Sequence, residues 1–190
     1  FLTDRGANLN LSPEDLPNSL LDEVGMVMVS GYSFFAPGPR AAVQGLFATA
    51  RSRGIDIAVD PASVGFLLEV GAARFLEWTT GATFIFANES EAEALTGLVG
   101  LEAQMRALGE HFETVLIKRG RLGAALGGRD GIRIEAPAPV VSVIDSTGAG
   151  DAFAAGFIAA TLSGENEANA LARGIAAGAN AVQSLGGQPG

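Results

Sequence analysis

Residues 55–95 read IDIAVDPASVGFLLEVGAARFLEWTTGATFIFANESEAEAL, and in this stretch two short apolar runs alternate with two longer segments of helical period. Ile55 to Val59 reads as a buried strand followed by a helix over Val64 to Trp78; Thr83 to Ala87 is a second such strand, with its helix over Glu89 to Leu95. The same unit extends outward in both directions. Upstream, the strand Val24 to Ser30 precedes a helix over Arg40 to Arg53, which places Val43, Leu46, Phe47 and Ala50 on one face and stops at Gly54. Downstream, a helix over Leu101 to Leu108 leads into the strand Thr114 to Lys118. Strands that alternate with helices predict an α/β fold with a mostly parallel central sheet, helices on both faces and right-handed crossovers. From Leu122 the rhythm shortens. Ala124 to Leu126 and Ile132 to Ile134 flank the turn-forming Gly127, Gly128, Asp130 and Gly131, so an antiparallel edge is expected there. Two Ala-rich helices, Ala149 to Leu162 and Glu167 to Ser184, close the chain, and with no linker or low-complexity tract residues 1–190 read as one domain.

Composition narrows the function classes. Apolar residues make up 48% and charged residues 17% of the 190, which is a folding composition. The net charge of −9, with only 12 scattered Lys and Arg, argues against a nucleic-acid partner, because phosphate neutralisation needs clustered cations. The absence of Cys removes disulfides, thiolate metal sites and cysteine nucleophiles. The most apolar long stretch, Ala152 to Leu162, is interrupted by Thr161 and closed by Ser163 and Gly164, too short for a membrane helix of about 18 residues. A soluble, cytoplasmic protein is expected. The chain starts at Phe1 with no secretory pattern, and reads as a piece of something longer.

The chemistry concentrates at Asp145-Ser146-Thr147-Gly148-Ala149-Gly150-Asp151-Ala152-Phe153, between the extended run Val140 to Ile144 and an apolar helix. Without Cβ atoms at Gly148 and Gly150, backbone amides can come close to an anion. A helix start leaves N–H groups unpaired and carries positive partial charge. Gly148, Ala149 and Gly150 therefore suit an anion hole for a phosphoryl group, and Asp151 stands where a base would accept the proton of an attacking hydroxyl. The plain alternative makes Asp151 a first-turn acid that complements the helix dipole. The chain has neither a G-x-x-x-x-G-K-[ST] loop nor the third glycine of a dinucleotide fingerprint.

The run DSTGAGDAF closely resembles the signature near the C-terminus of the ribokinase-like (PfkB) carbohydrate kinases. That resemblance implies a three-layer α/β/α fold, ATP and a small sugar as substrates, Gly148 to Gly150 as anion hole and Asp151 as catalytic base. NESEAEALTG looks like the family's N-x-x-E element, which implies that Asn88 and Glu91 organise the phosphates and Mg²⁺, mostly through water. Read without it, Asn88 and Glu91 form a helix-capping box. Lys118-Arg119-Gly120-Arg121-Leu122-Gly123 resembles the family's turn beside the nucleotide, with Lys118 near a phosphate and Gly120 and Gly123 as its glycine pair; a plain β-turn is the alternative. Gly178 and Asn180 lie where the family puts part of its adenine pocket, although small residues on a buried helix also serve close packing. Asp145 and Thr147 suit a monovalent cation such as K⁺, as in some relatives.

Asp4 to Asn8 resembles the segment that re-enters the core after the family's lid, and Ser30-Gly31-Tyr32 a turn lining the sugar side. His111 and Trp78 read as structural. The family's early sugar-binding motif and lid strands are absent, so an uncovered sheet edge and an apolar patch are expected, and a homodimer for the parent protein. A non-catalytic nucleotide or sugar-phosphate sensor, or a structural module, are the competing classes.

Overall fold

The computed structural model describes residues 6–186, so Asp4 and Arg5 lie outside the described residues. Six strands form one sheet in sequential order: β1 (Met26–Ser30), β2 (Asp56–Asp60), β3 (Phe84–Asn88), β4 (Thr114–Lys118), β5 (Ala124–Gly128) and β6 (Gly131–Ala136). β1 to β4 run parallel, and β5 and β6 add the antiparallel edge. The β5–β6 ladder shifts register at Leu126/Gly127, where Gly127 faces the Gly131 carbonyl too closely for a Cβ.

The parallel strands are apolar throughout because each faces two layers. In β3, Ile85 and Ala87 point into one core, while Phe86, with the partly buried Phe84 beside it, belongs to the other. In β4, Val115 and Ile117 join the first core and Leu116 the second. The first layer consists of α1 (Pro37–Ser52), α2 (Val64–Val70), α3 (Ala72–Trp78), α4 (Glu89–Thr96) and α5 (Leu101–Gly109). The second is α6 (Ala149–Leu162) with α7 (Glu167–Ala181), which lays Phe153, Phe157, Leu171 and Ile175 on the sheet. Strands in sequential order whose crossovers share one hand must place every crossover helix on the same face. The second layer thus falls to the two helices after the hairpin.

Several element boundaries differ from expectation: α1 begins at Pro37 rather than Arg40, β1 at Met26 rather than Val24, and β2 and β3 each lie one residue later than read. The helix read over 64–78 is two helices, broken at Gly71 with φ 85. The last helix ends at Ala181 rather than Ser184. Trp78 is only partly buried and lies under the Arg40 guanidinium, 4.1 Å from the ring centre. His111 is exposed beside Phe112. β1 has no outer neighbour among the described residues, and Met28 on it is 38% exposed. No described helix is long and apolar enough to cross a membrane.

Candidate active site

Ligands of open parallel sheets bind beyond the carboxyl ends of the strands. Here those ends carry Asp60 on β2, Asn88 on β3 and Lys118 on β4, and the first turn of α6 lies over Lys118.

The turn before α6 is tied by Asp145. Its Oδ1 accepts the Thr147 N–H at 2.9 Å and the Thr147 hydroxyl at 2.7 Å, while Oδ2 accepts the Gly186 N–H at 3.0 Å. The Thr147 backbone N–H, then its hydroxyl, then Gly186 hold the Asp145 carboxyl below its ordinary value. The backbone amides of Ile144 and Asp145 donate to the Val182 carbonyl, at 2.8 and 3.3 Å, and anchor the loop to the end of α7. Gly148 then caps the helix in the left-handed region, φ 76, which glycine adopts without a Cβ penalty.

Of the three residues expected to form the anion hole, Ala149 has its amide committed, donating to the Ser146 carbonyl at 3.2 Å. The N–H groups of Gly150 and Asp151 have no partner among the described residues. The Gly148 N–H is likewise unpartnered, so Gly148 and Gly150 keep free donors and Asp151 adds one beyond the glycine pattern. Asp151 is exposed, and its carboxylate makes no hydrogen bond or ion pair with any described residue.

Lys118 completes this corner. Its Nζ contacts Asp60 Oδ2 at 2.6 Å, and a Cβ on Gly150 would come within 3.3 Å of the same ammonium. Asp60 escaped the sequence reading. The signal was a charged residue ending a buried apolar strand directly before Pro61.

Asn88 and Glu91 form the full capping box: Asn88 Oδ1 accepts the Glu91 N–H at 2.9 Å and Glu91 Oε2 accepts the Asn88 N–H at 2.8 Å. Glu91 is 4% exposed, and burial pushes its carboxyl above the ordinary value, against the Asn88 amide; the Asp60 charge adds to the rise and Lys118 offsets it. The donors here are oxygens, and no cluster of three acidic or His side chains able to hold a metal exists among the described residues. Such a sparse set fits Mg²⁺, which keeps most of its water.

The turn after β4 is positioned by Arg119, which pairs with Glu89 at 3.1 Å and Glu135 at 2.8 Å. Gly123, φ 93, lies against β6, where a Cβ would stand 2.0 Å from the Ala136 carbonyl oxygen. Gly120, φ 54, has open space around it. Gly178 packs against the start of α6, with the Ala149 carbonyl 3.2 Å from where its Cβ would be, and Gly174 does the same against Phe153. Both glycines let α6 and α7 approach closely. Asn180 is exposed at the penultimate position of α7.

The profile of the pfkB family carbohydrate kinases matches residues 1–190. The chain belongs to that family. It is 32% identical over 172 residues to the bifunctional protein HldE of Shewanella putrefaciens, a match covering 87% of this chain and 30% of the relative. Among solved structures, the adenosine kinase of Sinorhizobium meliloti superposes with a TM-score of 0.89 at 23% identity, over 95% of this chain and 56% of that one. The aminoimidazole riboside kinase of Salmonella enterica, solved with aminoimidazole riboside and an ATP analog, gives 0.79 at 26% identity, over 97% and 64%. The pfkB chain described here thus spans about a third of the length of the curated relatives it matches and somewhat over half of the solved ones. Its three-layer architecture and antiparallel edge are those of the ribokinase-like fold.

Proposed function

We propose that this chain is the ATP-binding and catalytic portion of a carbohydrate kinase that moves the γ-phosphoryl of ATP to a hydroxyl of a small sugar. The observation that supports this most is the pairing, in one helix turn, of two unpartnered amides with an unpartnered carboxylate: Gly150 and Asp151 N–H beside the Asp151 side chain. Amides fixed at a helix N-terminus cost no reorganisation when negative charge spreads over the phosphoryl oxygens. As the sugar oxygen bonds to the γ-phosphorus, the bond to the β-phosphate oxygen breaks and ADP leaves. The hydroxyl proton goes to Asp151, an exposed carboxylate with no competing partner.

Lys118 supplies a cation beside the same turn, and Asn88 and Glu91 supply oxygen donors for Mg²⁺ held through water. When bound, Mg²⁺ neutralises phosphate charge. Gly120, Gly123, Gly178 and Asn180 border the adenine side in this reading, Thr147 holds the turn before the anion hole, and Asp145 is a candidate for K⁺. The parent protein acts in the cytoplasm, as a homodimer. The family match and the riboside substrate of the Salmonella neighbour favour a sugar or ribosyl acceptor.

Assaying the full-length protein against a panel of sugars with ATP and Mg²⁺ tests the reading. Asp151→Asn is expected to lower turnover by at least about 10³-fold, in the range of losing a general base together with charge in the site, while ATP affinity stays within about threefold. An Asp151→Asn enzyme as active as wild type would overturn the assignment.

A further inference from the structure

Resting on the kinase reading above, we infer that Asp60 is a positioning residue: it holds the Lys118 ammonium under the first turn of α6, where that cation meets the terminal phosphates of ATP. β2 and β4 are not neighbours; β3 lies between them. With strands about 4.8 Å apart, the Lys118 stem must reach across the end of β3 to close its 2.6 Å contact with Asp60. Both side chains are largely buried there, 15% and 12% exposed.

The place is a poor one for a cation on its own. The N-terminal end of a helix carries about half a positive charge, and a Cβ on Gly150 of that end would lie 3.3 Å from the ammonium. A four-carbon stem offers many rotamers that lead away from it to water. A countercharge is needed to keep the ammonium in position, and Asp60 is the acid that touches it. Glu91 is the further acidic group that acts on the pair.

Asp60 is itself fixed by its own turn. Its Oδ1 accepts the Ala62 N–H at 2.8 Å, and Ala62 has φ 67, a region that non-glycine residues seldom adopt. Gly31, directly after β1, presses on the same turn: a Cβ there would stand 2.3 Å from the Pro61 carbonyl oxygen. One carboxylate oxygen thus serves the turn and the other serves Lys118. Stability alone is a weak reason for this arrangement, since a buried ion pair seldom outperforms an apolar pair of the same volume. A pre-placed point charge for phosphate is a sufficient one.

A double-mutant cycle in the full-length protein tests the inference, with affinities for MgATP and for AMP measured by calorimetry, thermal melting of each variant, and kcat. Lys118→Met is expected to weaken ATP about thirtyfold and Asp60→Asn about tenfold, the range of one charge-assisted contact, with AMP affinity unchanged in both. In the Lys118→Met background, Asp60→Asn is expected to add nothing. The proposal is overturned by Asp60→Asn binding ATP like wild type, by losses that multiply in the double variant, or by an equal loss for AMP, which marks general distortion. Should Asp60→Asn not fold, Lys118→Met carries the test: it must lose ATP affinity with AMP spared, and full ATP affinity refutes the role. Failure of the kinase reading is separate. It shows as no phosphate transfer to any sugar by wild type, whereas the binding cycle needs no turnover.

Discussion

Gly150→Ala separates stability from catalysis in this chain. Gly150 is the second residue of α6 and is absent from the glycines with positive φ, so the backbone accepts a side chain there. Alanine is favoured over glycine by about 1 kcal/mol within a helix, and by about half of that in the first turn, where fewer neighbours fix the backbone. For a protein of this size about 0.5 kcal/mol corresponds to a rise in Tm of roughly 1–2 °C. The new methyl meets Lys118 Nζ at 3.3 Å, a contact that makes the ammonium yield by a few tenths of an ångström from a position set by its 2.6 Å bond to Asp60. It also narrows the approach to the Gly150 and Asp151 amides. Loss of one oxyanion donor lowers kcat by about 10²–10³-fold, and Gly150→Ala is expected at the lower end, about 10²-fold. The assay is ADP release by the full-length enzyme with its best sugar, alongside thermal melting. Wild-type kcat in this variant would refute the placement of the phosphoryl group, and a Tm several degrees lower would refute the reading of the backbone.

Two further outcomes follow from the hydrogen bonds around the site. Asn88→Ala removes the acceptor for the Glu91 N–H at the cap of α4, and is expected to cost about 1 kcal/mol, a fall in Tm of about 2–4 °C, read by thermal melting; an unchanged Tm would mean that the box does not stabilise α4. Thr147→Val deletes the hydroxyl that lies 2.7 Å from Asp145 and leaves the backbone donors in place. Asp145 titrates below 3.8 in the folded chain, so its contribution to stability is present above 3.8 and is lost as pH falls through its lowered value. In the variant that value moves up toward 3.8, and NMR titration of the Asp145 carboxyl checks it; an unmoved midpoint would show the hydroxyl to be irrelevant.

Most of the sheet was legible because its strands are apolar on both faces and its helices have long, regular stripes. β4 lies on the residues read for it, Thr114 to Lys118, since a run of Val, Leu and Ile bounded by polar residues has few alternatives. The break at Gly71 was not legible from the periodicity. Leu67 and Phe75 are both deeply buried on the first layer, so the apolar stripe runs through the glycine, and only the backbone reveals that the helix is interrupted there. At the glycine turn the amides unpartnered among the described residues are those of Gly148, Gly150 and Asp151, and the one that is taken, Ala149, goes to the Ser146 carbonyl, a detail of turn geometry that composition does not encode. Asp60 and Lys118 are 58 positions apart, and their contact depends on the register of β2 and β4 across β3. No local pattern can carry that.

The two readings of Asn88 and Glu91, helix cap or phosphate organiser, were set against each other in the sequence, and the geometry removes the opposition. Capping uses Glu91 Oε2 alone. That bond, with the return bond to Asn88, holds a carboxylate at 4% exposure at the end of β3, between two strands whose own ends carry Asp60 and Lys118. A long acidic side chain would otherwise turn to water, because burial raises the cost of its charge. The cap therefore does what a functional site requires of a supporting shell: it fixes one rotamer and leaves the second oxygen uncommitted by the box. The same economy holds for Asp60, which gives one oxygen to its turn and one to Lys118, and for the α6 turn, whose first amide closes the loop while the next two have no partner among the described residues. In each case a local structural bond sets the direction of a second polar group. Replacing only the structural bond should therefore disturb phosphate chemistry as much as replacing the group that faces it.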